Sequence, residues 1–218
     1  MPEPIGAVLF DLDGTLADTA LDLAYALNEQ RRRHGLNPLP HEVIRPQASH
    51  GTRGLLKVGF EVGTKSPEFD ALRNEFLELY AAHICDHTVL FPGMAEVLDE
   101  LEARKLRWGV VTNKPARFTL PLLKALNLEH RAACIISGDS TPNSKPHPEP
   151  LLTAAAHVRV KPAACLYVGD AERDVESAVA AGMQVLIANY GYLAAHDRPD
   201  TWGAHGRIDT PGDILRFL

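Results

Sequence analysis

The sequence predicts an α/β protein with a parallel sheet, helices on both faces, and a helical segment inserted after the first strand. The main observation is that short apolar runs alternate with helical patterns. The runs are VLF (8–10), RWGVVT (107–112), ACIIS (133–137), CLYVG (165–169) and QVLIA (184–188). The helical patterns between and beside them cover 93–104, 115–126, 149–157 and 171–181. This alternation is typical of βαβ units, so we expect a Rossmann-like parallel-sheet core.

The stretch between the first two strands is too long for a simple crossover. From Leu16 to about Thr88 the pattern is helical, and Gly35 ends the first helix. The predicted helices cover 18–34, 51–62 and 66–86. We expect this stretch to form a helical cap on the parallel-sheet core, with hinges at its two ends. The expected division is a core of 1–16 and 89–218 and a cap of 17–88.

Composition limits the class of protein. The chain has 218 residues and a formal net charge of -6, which argues against a nucleic-acid-binding protein. Cys85, Cys134 and Cys165 form no CxxC pair, so a disulfide framework or a structural zinc site is not expected. No apolar run is long enough to span a membrane, and the N-terminus does not resemble a signal peptide. We therefore expect a cytoplasmic protein without a membrane partner.

Two carboxylates follow the first strand, in the stretch DLDGT (11–15). Asp11 and Asp13 lie where open α/β sheets bind ligands, and alternation along an extended chain points both side chains the same way. Like charges this close repel each other unless a cation or a shared proton lies between them. A calcium-binding loop does not fit, because counting from Asp11 places Leu16 at the position that needs glycine.

Four short motifs resemble those of the haloacid dehalogenase superfamily and occur in the same order. They are DLDGT (11–15), VVTN ending at Asn113, SKP with Lys145, and GDAERD (169–174). Each motif is expected at the end of a strand of the predicted sheet. The resemblance covers essentially the whole chain. It implies a Rossmann-like core with a helical cap between the first and second motifs.

The residues themselves indicate how such a protein would work. Asp11 lies nearest the end of its strand and is the better candidate for a nucleophile, because a carboxylate can attack phosphorus and form an aspartyl-phosphate. Asp13 can protonate the leaving alkoxide and then accept a proton from the attacking water. A fixed ammonium at Lys145 could neutralise a phosphate and keep Asp11 ionised.

The resemblance assigns roles to four further positions. It implies that Thr112 and Asn113 hydrogen-bond the phosphoryl oxygens and that Asp170 and Asp174 bind Mg²⁺. We expect the side chains of Asp11 and Asp170 and the backbone carbonyl of Asp13 as direct ligands. We expect Asp174 to act through water, since it lies one helical turn further on.

The predicted cap contributes candidates for substrate binding. ASHGTRGLL (48–56) is typical of a helix entry, and the resemblance implies that this region closes over the phosphate site. We expect His50 and Arg53 to bind substrate there. A guanidinium can hold a carboxylate with two parallel hydrogen bonds, so Arg53 is the candidate for reading a substrate carboxylate.

The superfamily hosts several reactions, and Asp13 separates some of them. Dehalogenases need no acid at this position and phosphonatase relatives lack one, whereas phosphomutases keep both aspartates and stay open. A binding module without activity is the alternative from another class. We expect a Mg²⁺-dependent hydrolase of a phosphate monoester of a small metabolite, acting as a monomer or homodimer.

Finer resemblances concern the substrate. TNKP (112–115), SGD (137–139) and SKPHPEP (144–150) look like phosphoglycolate phosphatase-type enzymes. VVTNKPARF (110–118), SHGTRGLL (49–56) and YGY (190–192) are similar to N-acetylmuramic acid 6-phosphate phosphatases of cell-wall recycling. Both substrates carry a carboxylate besides the phosphate, and the choice between them stays open at this point.

Overall fold

The computed structural model describes residues 3–218 and confirms the α/β fold class. Its strands are β1 (Ala7–Phe10), β2 (Ala17–Asp18), β3 (Val89–Leu90), β4 (Arg107–Val111), β5 (Ile135–Ile136), β6 (Cys165–Gly169), β7 (Gln184–Ala188) and β8 (Gly206–Ile208). Six of them form one parallel sheet in the order β5-β4-β1-β6-β7-β8. All five predicted strands are present. β8 was not predicted, because GRI contains only one apolar residue and shows no strand periodicity.

The centre of the sheet is β1, which pairs with β4 on one side and with β6 on the other. Val8 lies opposite both Trp108 and Leu166, and every residue of β1 is fully buried. A strand covered by helices on both faces is expected to be apolar throughout rather than alternating, which explains the short run AVLF. The polar residues that follow β1 therefore emerge at the middle of the sheet edge.

The α-helices are α1 (Ala20–Arg33), α2 (His41–Ile44), α3 (Gly51–Phe60), α4 (Phe69–Ala82), α5 (Met94–Ala103), α6 (Ala116–Ala125), α7 (Glu149–Val158) and α8 (Glu172–Ala180). Helices α5 to α8 agree with the four helical patterns of the predicted core to within one residue at each end. Within residues 3–218, no helix has the length and apolar character that crossing a membrane requires.

The helical segment, which we define as residues 20–82, lies between the first two strands of the parallel sheet. It differs from the expected three helices in detail. Helix α2 and a 3-10 helix (Arg45–His50) were not predicted, because both are short and a proline begins each. The predicted helix 66–86 is shorter, since α4 spans Phe69–Ala82.

A two-stranded antiparallel ladder joins the helical segment to the sheet. Ala17 pairs with Leu90 and Asp18 with Val89, at the positions where hinges were expected. Apolar side chains of the helical segment and of the sheet helices belong to one continuous core, and the rings of Tyr80 and Phe118 lie 5.6 Å apart. The division into a cap and a core domain stays a prediction.

Candidate active site

A cavity of about 610 Å³ lies between the carboxyl ends of the central strands and the helical segment. Strand β1 brings Asp11 and Asp13 to it, β4 brings Thr112 and Asn113, and β6 brings Asp170. This is the edge where parallel α/β sheets bind ligands. Lys145, from the loop before α7, also lines the cavity, so the predicted catalytic residues are brought together.

Three carboxylates form a buried acidic cluster beside this cavity. Asp11, Asp170 and Asp174 are at most 3% exposed, and one oxygen of each lies within 4.8 Å of the others. Burial, Asp174 and Asp11 together raise the pKa of Asp170 to about 7. Within residues 3–218, Asp170 Oδ1 is buried without a hydrogen-bond partner. This donor set of carboxylate oxygens fits a hard divalent cation.

Lys145 is the cation that the protein itself supplies to the cluster. Its Nζ atom lies 3.0 Å from Asp11 Oδ1 and 2.7 Å from Asp174 Oδ1, and the side chain is 1% exposed. It also donates to the carbonyl of Val111 and to the hydroxyl of Tyr167. Burial alone would raise the pKa of Asp174, but the charges of Lys145 and Arg173, together with hydrogen bonds from Lys145 and the backbone of Ala171, lower that pKa. Burial keeps the pKa of Asp11 raised despite Lys145.

The local geometry of DLDGT orients both of its aspartates. The backbone N–H of Leu12 donates a 2.7 Å hydrogen bond to Asp11 Oδ1. Asp13 Oδ1 accepts hydrogen bonds from the hydroxyl of Thr19 at 2.6 Å and from Lys114 Nζ at 2.8 Å. Burial opposes the positive charge of Lys114, but Asp13 and Tyr80 together raise the pKa of that ammonium.

The two residues after β4 have different environments. Thr112 is 3% exposed, and its hydroxyl accepts a hydrogen bond from the backbone of Lys114. The side-chain amide of Asn113 donates to the carbonyl of Lys145 at 2.8 Å and accepts from its N–H at 3.0 Å. Asn113 therefore holds the loop that carries Lys145. Hydrogen bonds from these two residues to phosphoryl oxygens stay predictions.

Close backbone packing shapes the site around Asp170. Its Oδ2 atom accepts hydrogen bonds from the N–H of Tyr192 at 2.9 Å and from the hydroxyl of Ser49 at 2.7 Å. A Cβ atom at Gly14 would collide with this same oxygen, and the φ of 82° at Gly14 disfavours other residues. Glycine at position 14 is thus required by the acidic cluster.

The wall of the cavity opposite the acidic cluster is formed by the helical segment. His50 and Arg53 line it, as expected, and both are exposed to solvent within the opening. Burial and Arg173 lower the pKa of His50. Within residues 3–218, no carboxylate forms an ion pair with Arg53.

Several lining residues were missed by the sequence analysis. Arg73 and Tyr80 share one face of α4, Arg173 comes from α8, and Lys114 directly follows Asn113. The spacing of Arg73, Phe76 and Tyr80 at three and four residues places them on one helical face. That periodicity was visible in the sequence, but it does not tell which face is turned toward the cavity.

Comparison with known proteins agrees with this architecture. The family model described as "Haloacid dehalogenase-like hydrolase" matches residues 8–188. The chain is 42% identical over 212 residues to N-acetylmuramic acid 6-phosphate phosphatase of Pseudomonas putida, covering 97% of this chain and 95% of that protein. It is also 42% identical over 217 residues to phosphoglycolate phosphatase of Xylella fastidiosa, and this match covers 96% of this chain and 91% of that protein.

A solved structure shows the same fold. The crystal structure of a predicted phosphoglycolate phosphatase from Haemophilus somnus superposes with a TM-score of 0.85 at 28% sequence identity, covering 97% of each chain. The similarity therefore extends over the helical segment as well as the parallel sheet.

Proposed function

The chain belongs to the haloacid dehalogenase-like hydrolases, and on that premise we propose that Asp11 is the nucleophile of a Mg²⁺-dependent phosphatase. The protein is a phosphoric monoester hydrolase that acts on a small phosphorylated substrate. The observation that carries the mechanism is the position of Asp11, which belongs to the acidic cluster, lies 3.0 Å from Lys145 Nζ and lines the same cavity as Asp13.

In the first step, a carboxylate oxygen of Asp11 attacks phosphorus and the bond to the ester oxygen breaks. Asp13 gives its proton to that oxygen, so the leaving group departs as an alcohol. Lys145 opposes the effect of burial by favouring the ionised form of Asp11, and it balances the charge of the transferred phosphoryl group. The hydroxyl of Thr112 and the backbone of Asn113 lie beside this position and are proposed to bind the phosphoryl oxygens.

In the second step, water attacks the phosphorus of the aspartyl-phosphate. Asp13, now a carboxylate, accepts the proton of this water while the bond between phosphorus and Asp11 breaks. Inorganic phosphate leaves, and both aspartates return to their starting protonation states. One residue thus serves as acid and then as base.

The acidic cluster is proposed to hold Mg²⁺. The ligands would be the side chains of Asp11 and Asp170 and the backbone carbonyl of Asp13, with Asp174 acting through water. Its unpartnered buried oxygen makes Asp170 the strongest candidate. When bound, the ion would neutralise the phosphate and orient it for in-line attack. Both oxygens of Asp174 already accept hydrogen bonds from Lys145 and Ala171, which supports its indirect role.

The size and the lining of the cavity favour a substrate that carries a carboxylate and is larger than phosphoglycolate. Its volume of about 610 Å³ lies within the range of pockets for complete small-molecule ligands. Arg53 and Arg73 line the end formed by the helical segment, where they would face the leaving group. N-acetylmuramate 6-phosphate fits both features, since its lactyl group supplies the carboxylate. Phosphoglycolate remains the second candidate because it also pairs a carboxylate with a phosphate.

A comparison of three esters tests this proposal. We would measure release of inorganic phosphate with Mg²⁺ from N-acetylmuramate 6-phosphate, N-acetylglucosamine 6-phosphate and 2-phosphoglycolate. The two sugar phosphates differ only in the lactyl group, so the second is a matched control. A charged hydrogen bond to this group predicts kcat/KM about 10-fold or more higher for the muramate ester.

The other outcomes are also informative. The highest kcat/KM for 2-phosphoglycolate would favour the second candidate, and equal values for both sugars would remove the carboxylate from recognition. Failure to release phosphate from any ester in the presence of Mg²⁺ would contradict the proposed activity.

A further inference from the structure

Lys114 is a buried cation that the mechanism above does not use. Its side chain is 7% exposed, and Nζ lies 2.8 Å from Asp13 Oδ1. On its other side, Nζ lies 4.6 Å from the ring centroid of Tyr80, a residue of α4. A buried lysine needs such partners, because an unpaired ammonium in a protein interior is costly.

The backbone of Lys114 is also fixed. Its N–H donates to the hydroxyl of Thr112, and its carbonyl accepts hydrogen bonds from the N–H of Gly138 and the hydroxyl of Thr119, both at 2.9 Å. The ammonium is therefore held at the end of a rigid turn rather than on a mobile loop. Its position relative to β1 is set by the sheet.

Among residues 3–218, the hydrogen bonds that the carboxylate of Asp13 accepts reach one of its two oxygens. Oδ1 accepts hydrogen bonds from Lys114 and from the hydroxyl of Thr19. In the part of the chain that the structure describes, no hydrogen bond reaches Oδ2. The carboxyl group lines the cavity and is 18% exposed, so Oδ2 is the oxygen that a ligand can reach.

We propose that Lys114 is a positioning residue for Asp13, which it holds through Oδ1 so that Oδ2 carries the proton for the leaving oxygen. This inference rests on the proposed acid role of Asp13. As the bond between phosphorus and the ester oxygen breaks, the proton moves from Oδ2 to that oxygen. Asp13 becomes a carboxylate, whose charge Lys114 balances without giving up a proton. The same contact keeps Oδ2 directed at the water of the second step.

A pair of esters with the same outline tests this role. Benzyl phosphate releases an alkoxide that needs a proton, whereas 4-nitrophenyl phosphate releases a phenolate that is stable without one. A defect in acid positioning should therefore lower kcat/KM for benzyl phosphate only, because kcat/KM reports the first step and the second step is common to both esters. A defect in folding or in phosphate binding should affect both esters alike.

The variants are Lys114→Met, Lys114→Arg and, as a matched control on the exposed side of α6, Lys124→Met. We expect Lys114→Met to lower kcat/KM about 10- to 100-fold for benzyl phosphate and less than about 3-fold for 4-nitrophenyl phosphate. Lys114→Arg should restore most of the loss, and Lys124→Met should match the wild type on both esters. If Lys114→Met does not fold, Lys114→Gln carries the same test.

Asp13→Asn separates this inference from the proposed function. If the loss of kcat/KM in Asp13→Asn is confined to benzyl phosphate while the loss in Lys114→Met is equal for both esters, the inference is overturned and the acid role stands. A rise in KM alone for Lys114→Met would make Lys114 a substrate ligand and also overturn the inference. Equal losses of kcat/KM on both esters for Asp13→Asn would overturn the acid role, and the inference with it.

Discussion

Ser49 donates a 2.7 Å hydrogen bond to Asp170 Oδ2, so the helical segment touches the acidic cluster directly. Ser49 lies in the 3-10 helix immediately before α3, whereas Asp170 follows β6. The other hydrogen bond to this oxygen comes from the backbone of Tyr192. Together they fix Oδ2 and leave Oδ1 as the buried oxygen without a partner among the described residues, which makes Ser49 a support for the proposed metal ligand.

We expect Ser49→Ala to weaken Mg²⁺ binding about 5- to 10-fold, because Asp170 loses one of the two groups that orient it. Isothermal titration calorimetry on the protein without substrate measures this affinity. Ser49→Thr keeps the hydroxyl and should stay close to the wild type. Ser66→Ala, in the loop between α3 and α4, is the matched control. Unchanged affinity in Ser49→Ala would show that the contact does not support the metal site.

Removal of divalent metal should abolish turnover, and added Mg²⁺ should restore it. Asp170→Ala should raise the Mg²⁺ concentration needed for half-maximal rate and be partly rescued by excess Mg²⁺. Ca²⁺ should inhibit, because its larger and looser coordination disturbs the geometry of attack. The measurement is phosphate release after treatment with a chelator and back-titration. Full activity in metal-free buffer would rule out the proposed role of the acidic cluster.

Arg53 is expected to recognise the carboxylate of the substrate. Arg53→Ala should reduce kcat/KM for N-acetylmuramate 6-phosphate. The stabilisation of the transition state that is lost should equal that of one charged hydrogen bond, about 1.5–3 kcal/mol. The loss for 4-nitrophenyl phosphate, which has no carboxylate, should be much smaller. Steady-state kinetics of one variant on the two esters decides the point. Equal losses would assign Arg53 to the phosphate or to the fold.

Asp22 is expected to stabilise the junction between the helical segment and the sheet. Its fully buried carboxylate accepts hydrogen bonds from the N–H of His87 and from both the N–H and the hydroxyl of Thr88. Asp22→Ala leaves these donors without partners and should lower the free energy of unfolding by about 2–4 kcal/mol.

Urea denaturation measures this loss, with Asp70→Ala on the exposed side of α4 as the control. The control should change the free energy of unfolding by less than about 1 kcal/mol. A similarly small change for Asp22→Ala would show that the donors of His87 and Thr88 find other partners.

The parallel sheet could be predicted from the sequence, and so could the proximity of the motif residues. Both follow from the arrangement of parallel strands in an open sheet. Parallel strands end at the same edge, so side chains that follow β1, β4 and β6 must lie near each other. The structure brings Asp11, Asp13 and Asp170 to one cavity at that edge. Their chemical roles are a separate matter and stay predictions.

Other features could not be read from the sequence for physical reasons. Two-residue strands such as β2 and β3 have no periodicity to detect. Lys114 looks like any solvated lysine after a turn until the fold brings Asp13 and Tyr80 to either side of it. The bond from Ser49 to Asp170 joins residues 121 positions apart, and no local pattern records such a contact.

The most direct test of the account is to identify the residue that carries the phosphoryl group. Reduction of the acid-quenched enzyme with borohydride converts an aspartyl-phosphate to homoserine, which peptide mass spectrometry locates. We predict homoserine at position 11 in the wild type during turnover with Mg²⁺, and none in Asp11→Asn, which should also lack turnover. Homoserine at another aspartate, or turnover by Asp11→Asn without deamidation, would contradict the assignment of Asp11 as the nucleophile.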